Sequence, residues 1–160
     1  MVRDFSAVKS KLAAANIQML DGKIAAFPDG VKVEFIEDKN LGVPVAFHHI
    51  HIFTADADAL RDWYVKTFGG VKFPDRPNYP GGKIYFTSQL NPPRVPTKGH
   101  PLDHISFEIK DLEEFCKKLK AEGTKLDMNI SDPLQIGLKY TSITDPVGTR
   151  IELTERYAGK

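Results

Sequence analysis

The fold is decided by the stretch HHIHIFTADADALRDWYVKTFGG, residues 48–70, which returns in altered form as DHISFEIKDLEEFCKKLKAEG, residues 103–123. The two passages align without a gap at a separation of roughly 55 residues, a period typical of repeated supersecondary units. The alignment places His49 on His104 and Asp56 on Asp111. Because duplicated units usually enclose one shared cavity, we predict that the two equivalent histidines belong to a functional site in that cavity.

Each copy predicts a short strand followed by a capped helix. Apolar residues recur at helical spacing between Asp56 and Gly69, and again between Asp111 and Gly123. The proline- and glycine-rich stretch 90–101 is predicted to link the two copies. Alternating or clustered β-formers predict strands over residues 47–53, 83–88, 104–109, 138–143 and 150–154.

A third, incomplete copy precedes the two full ones. Residues 4–15 repeat the helical pattern, and PDGVKVEFIED (28–38) echoes DPVGTRIELTE (145–155), with Glu34 on Glu152. Closing strands are predicted over 23–27 and 31–36, but no opening strand precedes this helix. Either the chain starts late, or another chain or segment supplies that strand. Because unpaired strand edges recruit other chains and twofold dimers are common, we predict a homodimer.

Composition narrows the class of protein. With 160 residues, 41% of them hydrophobic and 27% charged, the chain has the profile of a soluble globular protein of one ordinary domain. A net charge of +1, with basic residues spread along the chain, predicts no nucleic-acid partner, and no apolar run is long enough to predict a membrane span. The single cysteine, Cys116, excludes an internal disulfide, and a cytoplasmic location is expected.

These motifs resemble the vicinal oxygen chelate superfamily, which includes glyoxalases, type I extradiol dioxygenases, methylmalonyl-CoA epimerases and bleomycin- or fosfomycin-resistance proteins. The resemblance is carried by FHHIHIF, LDHISFEI, DLEEFCKKLKAEG and SITDPVGTRIELTE. It implies an α+β fold in which paired βαβββ modules, residues 46–95 and 102–155, form an open U-shaped barrel over 46–155. A partial αββ module over residues 1–40 precedes them.

The resemblance also implies a metal site, because the family takes its ligands from the first and last strands of each module. Carried over by position, the ligands are His49, His104 and Glu152, while Tyr85 stands at the fourth ligand position. Two histidines and one carboxylate suit a divalent metal ion such as Fe, Mn, Zn or Ni, with positions open for substrate and water. The alternative for Glu152 is a solvent-exposed position on an edge strand, with no role in metal binding.

Four further residues are candidates around this site. His51 shares the strand face of His49 and is predicted as a general base, an extra ligand or a polar lining residue. Glu108 is an acid/base candidate if it is buried. Tyr85 and Tyr140 are predicted to present hydroxyls to a bound substrate, with core packing as the alternative.

The expected function is a glyoxalase/dioxygenase-like metalloenzyme that acts on a small-molecule substrate with vicinal oxygens. Extradiol ring cleavage is disfavoured, because Ser142 stands where the family's ring-cleaving members carry a tyrosine. The segment QIGLKYT also lacks the histidine of those members. The main alternative is a metal-free small-ligand-binding protein of the bleomycin-resistance type. A third is a fragment or regulatory module that is completed by another chain.

Overall fold

The structure, a computed structural model, describes residues 1–72, 77–88 and 95–157. Its helices are α1 (Phe5–Ala14), α2 (Ala57–Phe68) and α3 (Leu112–Ala121), with a short 3-10 helix at Leu134–Ile136. Its strands are β1 (Gln18–Met19), β2 (Ile24–Ala26), β3 (Lys32–Glu34), β4 (His49–Thr54), β5 (Val71–Lys72), β6 (Pro77–Tyr79), β7 (Gly82–Ser88), β8 (His104–Glu108), β9 (Leu138–Thr144) and β10 (Arg150–Arg156).

The chain is a mixed α+β protein that divides into two compact units. The first unit consists of Met1–Ile52 and the described part of Gly70–Tyr85, and the second of Phe53–Gly69 and the described part of Phe86–Lys160. The described strands form sheets of order β1-β2-β3, β4-β7-β6-β5 and β8-β10-β9. Residues 90–94 of the predicted linker lie outside the described residues, and 95–101 contain neither helix nor strand.

The predicted helices are confirmed together with their caps. The Asp56 carboxylate accepts a hydrogen bond from the Ala59 N–H at 2.9 Å, and Gly69 ends α2 in the left-handed conformation at φ 71°. A β-carbon is strained in the left-handed conformation, and glycine suits the position because it has none. The Asp111 carboxylate caps α3 in the same way.

In the second unit, β10 lies between two partners and sets the register of the polar face. It runs parallel to β8 and antiparallel to β9, so Glu152 stands opposite Ser106 on one side and Ser142 on the other. Side chains alternate along a strand, and Ile151 and Leu153 are the buried neighbours of Glu152. Glu152 therefore lies on the face opposite the buried core. That core is built from Leu112, Cys116, Leu119, Ile143, Ile151 and Leu153.

The incomplete first copy repeats hydrogen bonds of the last copy. The Val2 N–H donates to the Ile36 carbonyl at 2.8 Å, and at the equivalent place the Ile109 N–H donates to the Thr154 carbonyl at 2.7 Å. Since Ile109 directly follows β8, Val2 stands where an opening strand would end.

The start of each of these two helices also receives the same support from a glutamate, which follows β3 in the first copy and lies in β10 in the last. The Glu37 carboxylate accepts a hydrogen bond from the Phe5 N–H at 3.0 Å, and the Glu155 carboxylate accepts one from the Leu112 N–H at 3.3 Å. The first copy therefore repeats the local architecture of the last one as well as its residue pattern.

The chain itself covers part of the edge that the sequence predicted to be open. Val2 forms a parallel bridge with Glu37 on one side and an antiparallel bridge with Val45 on the other. The Arg3 N–H donates to the Pro44 carbonyl at 3.1 Å. No partner chain is needed to pair this part of the edge, and the homodimer stays a prediction.

Candidate functional site

Three side chains of the first unit, all of types that can bind a metal ion, converge on one point. His49 and His51 are two residues apart on β4 and extend from the same strand face, while Glu34 ends β3. The Nε2 atoms of His49 and His51 are 2.9 Å apart. The Glu34 Oε2 atom lies 3.2 Å from His49 Nε2 and 3.4 Å from His51 Nε2. We call this group the β3–β4 cluster.

The geometry of the β3–β4 cluster fits a divalent cation. Ligand atoms about 2.1 Å from an ion, at angles of about 90° to 110°, lie about 3.0 to 3.4 Å apart. The three measured separations match that spacing within about 0.1 Å. Among the described histidine, cysteine, aspartate and glutamate side chains, this is the group of three whose ligand atoms all lie within 4.8 Å of one another. Two imidazoles and one carboxylate also match the donor set of non-haem iron and zinc sites.

Glu34 is held in its charged form by a neighbouring lysine. The Lys23 Nζ atom is 2.5 Å from Glu34 Oε1, so one carboxylate oxygen faces the ammonium and the other faces the imidazoles. The hydrogen bond from Lys23 lowers the pKa of the Glu34 carboxyl, and the neighbouring histidines add to the effect. Oε2 is therefore the oxygen positioned to bind a cation.

His49 is the buried member of the cluster, with 7% of its side chain exposed, and His51 is the open one, at 37%. Burial lowers the pKa of His49, and the charges that His51 and His48 carry when protonated lower it further. A neutral imidazole is the form that binds a metal. Burial thus favours the neutral form of His49.

Aromatic and imidazole rings fix the orientation of the two histidines of the cluster. The Tyr85 ring meets His49 edge-on, with centroids 4.5 Å apart, and stacks on His51 at 5.2 Å. On the far side of His49, its Nδ1 atom lies 2.6 Å from Nδ1 of His48. Strand alternation extended back to His48 would place its side chain on the face opposite His49. Because β4 begins only at His49, that alternation does not govern His48.

The sequence-predicted ligand set of His49, His104 and Glu152 draws on both units and stays a prediction. His49 belongs to the β3–β4 cluster, whereas His104 begins β8 and Glu152 lies in the middle of β10. The His104 Nδ1 atom is 2.8 Å from the Asp103 carboxylate. This contact leaves Nε2 as the imidazole atom that faces away from Asp103.

The other two candidates lie in the second unit. Glu108, at the end of β8, is 58% exposed and 3.3 Å from the Arg156 side chain. It is therefore solvated, although its acid/base role was predicted on the condition of burial. Tyr140 is half-buried on β9, where it stands opposite Thr154 and bridges to Ser131. The roles proposed for both residues stay predictions.

Sequence reasoning missed Glu34 as a candidate ligand although the repeat pattern contained the signal. Glu34 aligns with Glu152, the predicted last-strand ligand, and this alignment is the signal that the sequence contained. What the sequence could not provide was the tertiary contact between β3 and the start of β4. Lys23 and His48, which contact the cluster, carry no motif of their own.

Comparison with known proteins agrees with the resemblance. Residues 46–153 match the family model of the Glyoxalase/Bleomycin resistance protein/Dioxygenase superfamily. No curated protein matches the chain. Among the helices of the described residues, none is long and apolar enough to cross a membrane.

Solved structures of this superfamily have a similar fold. A superfamily member from Sphaerobacter thermophilus DSM 20745 is 21% identical, with a TM-score of 0.58 over 70% of this chain and 98% of its own. A glyoxalase/dioxygenase from Nostoc punctiforme is 16% identical, with a TM-score of 0.59 over 78% of this chain and 98% of its own. At such identities the likeness concerns the fold alone. On the match of residues 46–153, the chain belongs to the glyoxalase/bleomycin resistance protein/dioxygenase superfamily.

Proposed function

We propose that this protein is a metal-dependent enzyme of the glyoxalase/dioxygenase type that acts on a small substrate with vicinal oxygens. The observation that supports this most directly is the convergence of Glu34, His49 and His51, whose ligand atoms lie 2.9 to 3.4 Å apart. Three protein ligands on one side of an ion leave positions open for two substrate oxygens. The proposal extends to the open U-shaped barrel that paired βαβββ modules form in this family.

Each side chain has a separate task in this proposal. A bound divalent ion would act as a Lewis acid toward the oxygens of the substrate. Glu34 contributes the negative charge, and His49 contributes a neutral donor atom from a buried position. His51, which is more exposed, forms the side of the cluster from which a substrate can approach. Tyr85 keeps both imidazole planes in place through its ring contacts.

The set of His49, His104 and Glu152 is the alternative ligand arrangement for the same function. It is supported by Asp103, because a carboxylate at the second ring nitrogen is the usual outer partner of a metal-binding histidine. Both arrangements need His49. Substitution of this one residue therefore tests metal binding itself, while Glu34 and Glu152 separate the two ligand sets.

A metal-free ligand-binding protein is the second candidate function. One observation favours it: Lys23 already compensates the charge of Glu34, and the imidazoles already have polar neighbours. The polar atoms of the cluster therefore have partners even when no cation is bound. In this alternative, Tyr85 and the histidines would line a ligand cavity.

Metal analysis of protein purified without a histidine tag separates the two functions. The enzyme proposal expects stoichiometric metal, or a rise in melting temperature on addition of Fe²⁺, Mn²⁺, Zn²⁺ or Ni²⁺. His49→Ala should abolish both, whereas His100→Ala, which removes an exposed histidine outside the cluster, should not. Absence of metal and an unchanged melting temperature with all four ions would leave the ligand-binding function as the answer.

A further inference from the structure

The β3–β4 cluster is the middle of a longer string of polar groups that ends in a lysine on each side. Lys83 Nζ lies 3.4 Å from His48 Nε2, and His48 Nδ1 lies 2.6 Å from His49 Nδ1. Beyond His49, the string continues to Glu34 and ends at Lys23. All five residues belong to the first unit.

The rules for donors and acceptors fix the direction of the hydrogen bonds that run from Lys83 through His48 to His49. A lysine ammonium only donates, so His48 Nε2 must accept from Lys83 and His48 must carry its proton on Nδ1. That proton is then donated to His49 Nδ1, which leaves the proton of His49 on Nε2. The Nε2–H group of His49 faces Glu34 Oε2 at 3.2 Å and His51 Nε2 at 2.9 Å, and both atoms can accept.

The proton position that this hydrogen-bond direction sets on His49 is incompatible with metal binding through Nε2. Nε2 is the His49 atom that faces the other two ligands, and a metal requires its lone pair. The proton of neutral His49 must then lie on Nδ1 and be donated to His48 Nδ1. His48 in turn must carry its own proton on Nε2, where it meets the Lys83 ammonium, a second donor.

We propose that Lys83, acting through His48, holds His49 in the Nε2–H tautomer and thereby weakens metal binding at the β3–β4 cluster. The part concerning metal affinity rests on the proposed function, whereas the tautomer is a property of the metal-free protein. Lys83 is a positioning residue in this scheme, because it acts on the ligand through His48. Outer partners of ligand histidines change metal affinity by about 10- to 100-fold when altered.

The test compares three lysine substitutions. Lys83→Met removes the donor, Lys83→Arg keeps a donor that cannot accept, and Lys32→Met removes the same charge from an exposed position of the first unit. Long-range proton–nitrogen NMR on the metal-free proteins reports the tautomer of each of the five histidines, and a His49→Gln spectrum identifies His49. Titration with Zn²⁺ against a chromophoric chelator reports affinity.

Wild type, Lys83→Arg and Lys32→Met should all show the Nε2–H form of His49. Lys83→Met should show a larger share of the Nδ1–H form, because only the acceptors Glu34 and His51 then favour the Nε2–H form. Lys83→Met should also bind Zn²⁺ about tenfold more tightly than Lys32→Met. A wild-type His49 in the Nδ1–H form, or no change in Lys83→Met, would overturn the proposal. Equal Zn²⁺ affinities of the two methionine variants would overturn its second part. If no variant binds Zn²⁺, the proposed function fails, while the tautomer data still decide the role of Lys83.

Discussion

Replacement of Glu34 by glutamine should weaken divalent-metal binding strongly, whereas the same change at Glu152 should leave it nearly unchanged. The two glutamates occupy equivalent repeat positions and differ in surroundings. Glu34 presents Oε2 to two imidazole nitrogens, while Glu152 stands between two serines on neighbouring strands. Glutamine keeps the size and polarity of the side chain, so each substitution isolates the charge.

The expected size of the effect follows from Coulomb's law. A doubly charged ion and a carboxylate about 3 Å apart attract each other by about 3 kcal/mol even at the dielectric constant of water, about 80. Each 1.4 kcal/mol corresponds to about a factor of ten in affinity. Because only 18% of the Glu34 side chain is exposed, screening is weaker than in bulk water. Glu34→Gln should therefore raise the dissociation constant at least about 100-fold.

The measurement is the dissociation constant of metal-free protein for Zn²⁺ and Mn²⁺, obtained by calorimetry or chelator competition at neutral pH. Far-ultraviolet circular dichroism and melting temperature of the metal-free variants show whether both remain folded. The reasoning is refuted if Glu152→Gln loses affinity while Glu34→Gln keeps it. That result would establish the set of His49, His104 and Glu152 instead.

Four further outcomes are expected. Protein loaded anaerobically with Fe²⁺ should form no yellow ring-opened product from catechols, because Ser142 stands in place of a tyrosine; such a product would contradict this. Tyr64→Phe should lower the free energy of unfolding by about 1–3 kcal/mol in urea titrations, because the Tyr64 hydroxyl donates to the buried Asp145 at 2.9 Å. Asp103→Asn should destabilise the protein at neutral pH, and the difference in melting temperature from wild type should fade between pH 3.8 and about 2. The reason is that the Gly99 N–H and then His104 lower the pKa of this carboxyl from 3.8 to about 2, so its stabilising charge is lost as pH falls. The full-length chain should sediment as a dimer at micromolar concentration, and a monomer would rule out the predicted homodimer.

The helices and most strand positions could be predicted because their signals are local. Asp56 and Gly69 bound α2 through a side-chain cap and a left-handed turn, both of which depend on neighbours in sequence. The predicted strands over 83–88 and 138–143 agree with β7 and β9 to within one residue at either end. Strand β1, which has two residues, offered too short a pattern to be recognised.

The candidate site could be predicted only in part, because a repeat specifies residue types and not their tertiary neighbours. His49 and His51 followed from strand alternation, and they do converge. The partner carboxylate did not follow, since Glu34 and Glu152 are equivalent in sequence. Which glutamate contacts His49 depends on how the strands assemble. Neither the repeat period nor the helix caps contain that information.

The incomplete first copy therefore gains a role that its residue pattern did not reveal. Its closing strand supplies Glu34 to a histidine of the following module, and its residue Lys23 compensates the resulting charge. A carboxylate placed against two imidazoles needs a cation nearby, because partly buried charge is costly without one. Lys23 meets that need in the metal-free protein. A divalent ion in the cluster would share Glu34 with Lys23, so the lysine that stabilises the empty cluster also competes with the metal for the same carboxylate.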